Sequence, residues 1–129
     1  QGFRVVPIVD PHIKVEAGHA PYDEGLMGDH FVRHAAGPLY QAPVWPIRAE
    51  KNPRQSVFPD FTRAETRAWW GTLFKDLTDL GADGIWNDMN EPTVFVEPWK
   101  TFPADVMHHH EGAPVGHDAI HNVYGMLNS

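Results

Sequence analysis

The chain has 129 residues, a formal charge of −7 and no cysteine. This length suits one modest domain with a hydrophobic core, and the lack of cysteine excludes disulfides and thiol chemistry. The ten Lys and Arg residues are dispersed, which argues against a nucleic-acid partner. No apolar run approaches the ~20 residues that cross a bilayer, so no membrane partner is expected. A strand pattern at the very start and a helix pattern at the very end predict that the chain is a segment of a longer protein.

The first predicted element is a buried strand over residues 3–9, where "FRVVPIV" is rich in Val and Ile. Pro7 removes one backbone donor from this strand. Residues 11–60 contain Pro, Gly, His and aromatic residues throughout, which predicts a long irregular stretch. Loops of this length are uncommon in compact domains and are usually functional where they occur.

A helix is predicted over residues 62–80, in "FTRAETRAWWGTLFKDLTDLG". Thr62 at the N-cap with Glu65 three residues later has the pattern of a capping box, and Gly81 is the expected C-terminal stop. Six apolar residues lie on one face at helical spacing, which predicts that they pack against a sheet as core. They are Trp69, Trp70, Leu73, Phe74, Leu77 and Leu80.

A second short strand is predicted over residues 84–87. The segment "HDAIHNVYGMLN" predicts the start of another helix, with Ile120, Val123, Tyr124 and Leu127 on its apolar face. Strand, helix and strand in this order form a βαβ unit of the α/β class, in which the strands are parallel. The strands end at Asp10 and Asp88, so both carboxylates are expected at the same edge, ~4.8 Å apart if the strands are neighbours. Ligands bind at this edge in α/β barrels and sheets.

Two neighbouring carboxylates suit glycoside hydrolysis, metal binding or a structural hydrogen-bond network. The residues around Asp88 favour the first of these. Trp86 shares its side of the strand, and Trp45 lies in the Pro-bracketed loop "APVWPI", where no regular element requires a core Trp. Aromatic side chains without a cationic cluster fit a neutral sugar better than a phosphate or a metal.

The segment "GIWNDMNEP", residues 84–92, resembles the signature of glycoside hydrolase family 31, the α-glucosidases and α-xylosidases. The resemblance extends through "VDPHIK", "VWP", "FPDFT", the "WW" helix and "HDAIHNVYG". It implies part of a TIM (β/α)₈ barrel: roughly its third strand, the following helix, its fourth strand and the start of the next helix. Residues 11–60 would form a long active-site loop. One departure is the insertion "IRAEKNPRQS", where the family usually runs from "VWPG" almost directly into "FPDF".

The function that the resemblance implies is retaining hydrolysis of α-linked glucosides through a covalent glycosyl-enzyme intermediate, with no cofactor. The resemblance assigns the nucleophile to Asp88 and the general acid to an Asp on a later barrel strand outside this chain. The substrate would be an oligosaccharide or α-glucoside, and the isolated chain is expected to be inactive. The resemblance implies six substrate-binding residues, which are Ile8, Asp10, Trp45, Trp86, Met89 and Phe95.

Glu91 stands three residues after Asp88, beyond the strand end, where its side chain is not expected to reach the opposite side of a sugar. We therefore predict that Glu91 and Asn90 are buried supports of the strand end, not an acid/base pair.

The segment "MHHHEGAPVGHDAIH" holds five His residues, and His117 with His121 has the i, i+4 spacing of a metal-binding helix. The chain has no HExxH pattern and no Cys, and the resemblance assigns His117, His121 and Asn122 to a helix start behind the active site. We predict a structural role and no metal. Two rival functions stay open: a metal-binding α/β domain that uses the cluster from His108 to His121, and a non-catalytic sugar-binding fragment.

Overall fold

The computed structural model describes residues 2–44, 54–96, 98 and 100–129. These residues form four helices and seven short strands in three small sheets. The helices are α1 (Ala20–Met27), α2 (Ala64–Thr72), α3 (Lys75–Asp79) and α4 (His117–Leu127). The strands are β1 (Ile8–Val9), β2 (Ile13–Lys14), β3 (Arg33–His34), β4 (Ser56–Val57), β5 (Trp86–Asn87), β6 (Val106–His110) and β7 (Ala113–Gly116).

The two predicted strands pair in parallel, which confirms the βαβ order. Strand β1 lies beside β5, with Ile8 opposite Trp86 and Val9 opposite Asn87. Helices α2 and α3 lie between these strands in the chain. The carboxyl ends of β1 and β5 therefore meet at one edge.

Both strands are shorter than the predicted residues 3–9 and 84–87. The prediction that the first strand is buried is wrong, because none of residues 3–9 is buried, and Phe3 and Ile8 are 96% and 57% exposed. Before the paired residues, the two segments are joined by isolated backbone hydrogen bonds, such as that from the amide of Asp83 to the carbonyl of Val5 (2.8 Å). A Val- and Ile-rich run is typical of a parallel strand covered on both faces, and the described residues do not cover this one.

The predicted helix over residues 62–80 is divided into α2 and α3. At the division, the amides of Leu73 and Phe74 bond to carbonyls three residues back, at 3.1 and 3.4 Å, which is the tighter 3₁₀ pattern. The predicted capping box is wrong, because the N-cap residue is Arg63 and it makes no side-chain cap bond. The hydroxyl of Thr62 instead donates to a carboxylate oxygen of Asp60 at 2.7 Å. A charge-assisted bond of this kind is stronger than a bond between neutral groups.

The predicted C-terminal stop at Gly81 is confirmed. Gly81 has φ of 96°, and its amide bonds to the carbonyl of Thr78 while the amide of Ala82 bonds to that of Leu77. This is the Schellman arrangement, in which glycine takes the left-handed position without a Cβ penalty. Leu80 comes just before this turn and is 86% exposed, so its predicted place on the core face is wrong.

Four of the five remaining apolar residues of this face support the core prediction, and the fifth, Leu77, is half-buried outside the core cluster. Trp70 is buried, and Trp69, Leu73 and Phe74 pack partly buried against the core. The indole rings of Trp69 and Trp70 lie 6.2 Å apart, edge to face, an arrangement that aromatic pairs favour.

Residues 11–60, predicted as irregular, contain regular elements. Helix α1 has Pro in its first turn, where the missing N–H costs no helical bond. Strand β2 pairs antiparallel with β4, and β3 pairs antiparallel with β6. Strands of two residues carry no hydrophobic period, so their pairing is set by distant partners and not by a local pattern.

The β6–β7 hairpin was not predicted. Its antiparallel strands are joined at Glu111 and Gly112, both with positive φ (49° and 81°), as in a two-residue type I′ turn. The usual signals for this turn are Asn-Gly and Asp-Gly, so Glu-Gly gave little indication of it.

Helix α4 agrees with its prediction, with Ile120 and Tyr124 buried on the apolar face. The Tyr124 ring lies 5.2 Å from Phe61 and 5.6 Å from Phe102, and its hydroxyl donates to the carbonyl of Pro59 at 2.8 Å. Helix α4 therefore packs in the core against the segment before α2 and the segment before β6. Within the described ranges, no helix is long and apolar enough to cross a membrane.

Candidate active site

The two predicted carboxylates follow neighbouring strand ends. Asp10 comes directly after β1 and Asp88 directly after β5. The amide of Asp88 donates to the carbonyl of Val9 at 3.1 Å, which extends the parallel contact by one residue. Because Val9 pairs with Asn87, the two aspartates stand at the same level of the edge. The sequence-based expectation that they share one edge is confirmed.

The exposed face of this small sheet carries two of the predicted sugar-binding residues. Ile8 and Trp86 are paired in register, and their exposed fractions are 57% and 56%. Partners in a parallel pair point to the same side, so the two side chains form one apolar surface that leads to the edge. Such a surface is available for contact with a ligand.

Two of the predicted sugar-binding residues line different clefts of the described chain. Asp10 lines a cleft of about 420 Å³ together with His12 and Trp70. Burial lowers the pKa of His12, and the Asp10 carboxylate opposes that shift. Trp86 lines a different cleft of about 650 Å³, which Trp70 and Asn87 also border. The predicted sugar pocket is therefore not one enclosed cavity within the described residues.

Asp88 is half-buried and begins a tight turn. One of its carboxylate oxygens accepts a hydrogen bond from the amide of Met89 at 2.8 Å. Met89 has φ of 54°, a left-handed conformation that is uncommon for a residue other than glycine. Its side chain packs partly buried against the core.

The predicted supports of the strand end have different surroundings. Asn90 is half-buried, and its amide nitrogen donates to the carbonyl of Gly125 in α4 at 3.3 Å. Glu91 is exposed and accepts a bond from the Thr93 hydroxyl at 2.6 Å, so the prediction that it is buried is wrong. The carboxylate of Glu91 therefore faces solvent and is bonded to Thr93.

Of the two remaining predicted residues, the structure describes only Phe95. Trp45 lies outside the described residues. Phe95 is partly exposed, and its amide donates to the carbonyl of Pro43 at 2.9 Å. This bond holds the Phe95 segment beside the segment that contains Pro43.

The whole chain, residues 1–129, matches the glycosyl hydrolases family 31 TIM-barrel domain. The chain belongs to glycoside hydrolase family 31. This confirms the resemblance carried by the segment around Asp88, and it identifies the small α/β structure as part of the barrel domain of a family 31 protein.

Named relatives agree with this assignment. The chain is 46% identical over 127 residues to alpha-glucosidase 2 of Bacillus thermoamyloliquefaciens, a match that covers 98% of the chain and 15% of the relative. It is 37% identical over 126 residues to neutral alpha-glucosidase AB of Mus musculus, covering 95% of the chain and 12% of the relative. The chain thus spans about a seventh or less of the length of these relatives.

Solved structures of the family have the same fold over this segment. The glucosidase II alpha subunit in its alpha3-Glc2-bound form superposes with a TM-score of 0.80 at 34% identity, over 96% of the chain and 13% of that structure. A family 31 dextranase of Flavobacterium johnsoniae, complexed with glucose, gives 0.75 at 31% identity, over 98% of the chain and 14% of that structure.

The histidine cluster of this family 31 chain is a linear hydrogen-bonded network. The ring of His108 bonds through Nδ1 to Asp60 (3.1 Å) and through Nε2 to Nδ1 of His117 (3.0 Å). The other nitrogen of His117, Nε2, bonds to Nδ1 of His121 (3.0 Å). Asp60, His108 and His117 are buried, so the network joins β6 and α4 to the segment before α2 inside the core.

Asp60 is the anchor of the network and was not assigned a role from the sequence. Burial opposes its charge, but bonds from the His108 ring, the His109 amide (2.7 Å) and the Thr62 hydroxyl outweigh burial and hold its pKa below the ordinary 3.8. A signal was present, because a carboxylate inside the apolar run "FPDF" requires partners that neutralise the cost of burial.

The network supports a structural role over the metal-binding alternative. Both ring nitrogens of His108 and of His117 are engaged, so neither ring presents a free lone pair to a metal. In the part of the chain that the structure describes, no group of three or more His, Asp or Glu residues is placed to hold a metal ion.

We expect the barrel domain to lose stability in mild acid through His117. Burial, followed by the neighbouring His108 and His121, lowers the pKa of His117 from 6.5 to about 3. The unfolded chain therefore binds the proton more tightly, and the stabilising contribution, complete above pH 6.5, falls as pH drops from 6.5 toward 3. One such group gives a slope of about 1.4 kcal/mol per pH unit.

The test is the free energy of unfolding of the whole protein between pH 7 and pH 4.5, measured with urea. This window lies above the range in which Asp60 titrates. Replacement of His117 by Gln should reduce by about one the number of protons taken up on unfolding, and the slope should fall accordingly. The pH dependence that remains should come from His12 and His30, whose pKa values burial also lowers. Replacement of the exposed His109 by Gln is the control. An unchanged slope in His117→Gln would contradict the assignment.

Proposed function

We propose that the chain is the part of a retaining α-glucosidase that carries the catalytic nucleophile, Asp88. The observation that supports this most directly is the position of Asp88 at the end of β5, beside the end of β1, in a chain that belongs to family 31. The named relatives are α-glucosidases, which favours an oligosaccharide or α-glucoside as the substrate of the whole protein.

The proposed reaction has two displacement steps. The Asp88 carboxylate attacks the anomeric carbon of the bound α-glucoside, and the bond from that carbon to the leaving oxygen breaks. The leaving oxygen takes a proton from a second carboxyl group, which we assign to a part of the protein outside this chain. That group then removes a proton from water, which attacks the same carbon, releases Asp88 and restores the α configuration.

This chemistry places a demand on geometry. In retaining enzymes the two carboxyl groups lie ~5–5.5 Å apart across the scissile bond. Glu91 is a poor candidate for the second group, because it is exposed and bonded to Thr93. Two carboxyl groups and water are sufficient for the reaction, so no cofactor is proposed.

We place β1 and β5 as roughly the third and fourth strands of the barrel, with α2 and α3 between them and α4 starting the next helix. Residues 11–60 would then be a long insertion at the rim of the active site. Ile8 and Trp86 would contact the reacting sugar from the barrel interior, together with Asp10 and Met89. Trp45 and Phe95 would lie nearer the leaving group.

The experiment that tests this proposal is covalent labelling of the whole protein with a fluorinated α-glucosyl fluoride, which forms a slowly hydrolysed glycosyl-enzyme. Mass spectrometry of the peptide that contains residues 84–92 should locate the sugar on Asp88. NMR spectroscopy should show α-glucose as the first product of hydrolysis. A label on Glu91, or β-glucose as the first product, would contradict the proposal. Sugar binding without label or turnover would favour the non-catalytic alternative.

A further inference from the structure

The strand end that carries Asp88 rests against the last turns of α4. The side-chain amide of Asn87 donates to the carbonyl of Asn128 at 3.4 Å, and that of Asn90 donates to the carbonyl of Gly125 at 3.3 Å. Carbonyls at the end of a helix lack intrahelical donors, so these amides act as partners there, and the Gly125 carbonyl also accepts a bond from the Ser129 hydroxyl at 3.4 Å. Asp88 therefore lies between two residues that are both held by α4.

The contact at Gly125 leaves no room for a side chain. A Cβ atom added at Gly125 would lie 2.7 Å from the backbone oxygen of Asn90 and 3.3 Å from its side-chain Cγ and Nδ2. Carbon atoms do not approach a backbone oxygen this closely, so a larger residue would push the turn away from the helix. The helical Gly71 in α2 differs, because a Cβ there would meet nothing within 4 Å.

The displaced residue, Asn90, directly follows Met89, whose conformation sets the direction of the Asp88 side chain. Met89, between Asp88 and Asn90, is in the left-handed region (φ 54°), which a residue with a side chain keeps only when its surroundings hold it there. The amide of Met89 donates to the Asp88 carboxylate at 2.8 Å. The direction of that carboxylate therefore depends on the left-handed turn, and the turn depends on the contact with α4.

We propose that Gly125 is a positioning residue for catalysis: its lack of a side chain lets Asn90 dock on α4, which holds Met89 left-handed and aims the Asp88 carboxylate. This inference rests on the proposed function, in which Asp88 is the nucleophile. It assigns a role in the chemistry to Gly125, the last residue of the segment "HDAIHNVYG", for which the sequence indicated no such role. A displacement of about 1 Å at a reacting group can lower a rate on the order of 10²-fold.

The test compares Gly125→Ala with Gly71→Ala in the whole protein. Both changes replace a helical glycine by alanine, so they share the same gain in helix propensity. The measurements are the first-order rate at which a fluorinated α-glucosyl fluoride labels Asp88, the inhibition constant of a reversible glucose analogue, and the melting temperature. We expect Gly125→Ala to slow labelling by about 10- to 100-fold with the inhibition constant changed less than twofold, and Gly71→Ala to leave both constants unchanged.

The possible outcomes separate this inference from the proposed function. Equal labelling rates in the unsubstituted protein and Gly125→Ala would overturn the positioning role and leave the nucleophile assignment intact. Equal losses of labelling and of inhibitor binding would also overturn it, because they would indicate general damage to the site. Absence of label on Asp88 in the unsubstituted protein would overturn both. If Gly125→Ala does not fold, Asn90→Ala removes the side-chain hydrogen bond that docks Asn90 on the Gly125 carbonyl, without added bulk, and an unchanged labelling rate there would overturn the inference.

Discussion

Replacement of Asp88 by Asn is expected to lower turnover of an aryl α-glucoside by the whole protein on the order of 10³-fold or more, because an amide does not form the covalent intermediate. The fold should be retained, since Asn keeps the shape of the side chain and the oxygen that accepts the 2.8 Å bond from Met89. The measurement is kcat for the purified variant, with the melting temperature as a check on folding. Replacement of Asp76, an exposed aspartate in the first turn of α3, by Asn is the matched control and should have no effect on kcat.

A second variant gives a chemical signature. In Asp88→Gly, added azide should enter the space of the missing carboxylate and attack the anomeric carbon of α-glucosyl fluoride, with fluoride as the leaving group. The product should be β-glucosyl azide, because the anion attacks the face from which Asp88 would attack. Full activity of Asp88→Asn, or no azide product with Asp88→Gly, would exclude Asp88 as the nucleophile.

The isolated 129-residue chain is expected to be inactive and to unfold without a sharp transition. Its parallel sheet has only β1 and β5 among the described residues, and parallel sheets are normally covered on both faces. Phe3, Ile8 and Trp86 are exposed on or beside this sheet. Contiguous apolar surface of this kind promotes association between chains.

Buried polar atoms lead to the same expectation. Within the described part of the chain, the indole nitrogen of Trp70, the side-chain oxygen of Asn87 and both side-chain amide atoms of Asn128 have no hydrogen-bond partner. Each such group costs about 1–3 kcal/mol, against a typical total stability of about 5–15 kcal/mol. All three residues border the cleft of about 650 Å³ beside β5, where further barrel segments would supply partners.

The measurements for the isolated chain are urea unfolding followed by circular dichroism, binding of a hydrophobic dye, and hydrolysis of an aryl α-glucoside. The whole protein, measured in parallel, is the control and should unfold cooperatively and turn over. Sharp cooperative unfolding of the isolated chain, together with hydrolysis that is lost in Asp88→Asn, would show this prediction to be wrong.

The candidate site was predictable to the extent that it follows strand ends. Asp10 and Asp88 each follow a short apolar run, and the parallel pairing of those runs is a general consequence of the βαβ order. Their position at a common edge could therefore be predicted from the sequence. The histidine network was not, because its bonds join residues 60, 108, 117 and 121, and no local pattern shows which ring faces which.

Helix boundaries show how local rules fail. Thr62 and Glu65 have the spacing of a capping box, yet the Thr62 hydroxyl donates to the buried Asp60 carboxylate, and the helix begins later. The Asp60 carboxylate is buried and needs hydrogen-bond donors, so the Thr62 hydroxyl bonds to it and not to the helix backbone. The same reason explains why the elements within residues 11–60 were missed, since two-residue strands exist only through partners far along the chain.

The sequence alone determined the family, the α/β class, the α2 and α4 apolar faces, the Gly81 stop and the edge that carries Asp88. The family follows from the resemblance of the segment around Asp88, and the other features depend on residue type and spacing within one or two neighbouring elements. Only the tertiary structure decided that Asn90 docks on Gly125, that Met89 is left-handed, and that Asp60 anchors three histidines. Those features depend on distances between segments 30 to 60 residues apart, which are set by how the core packs and not by any one segment.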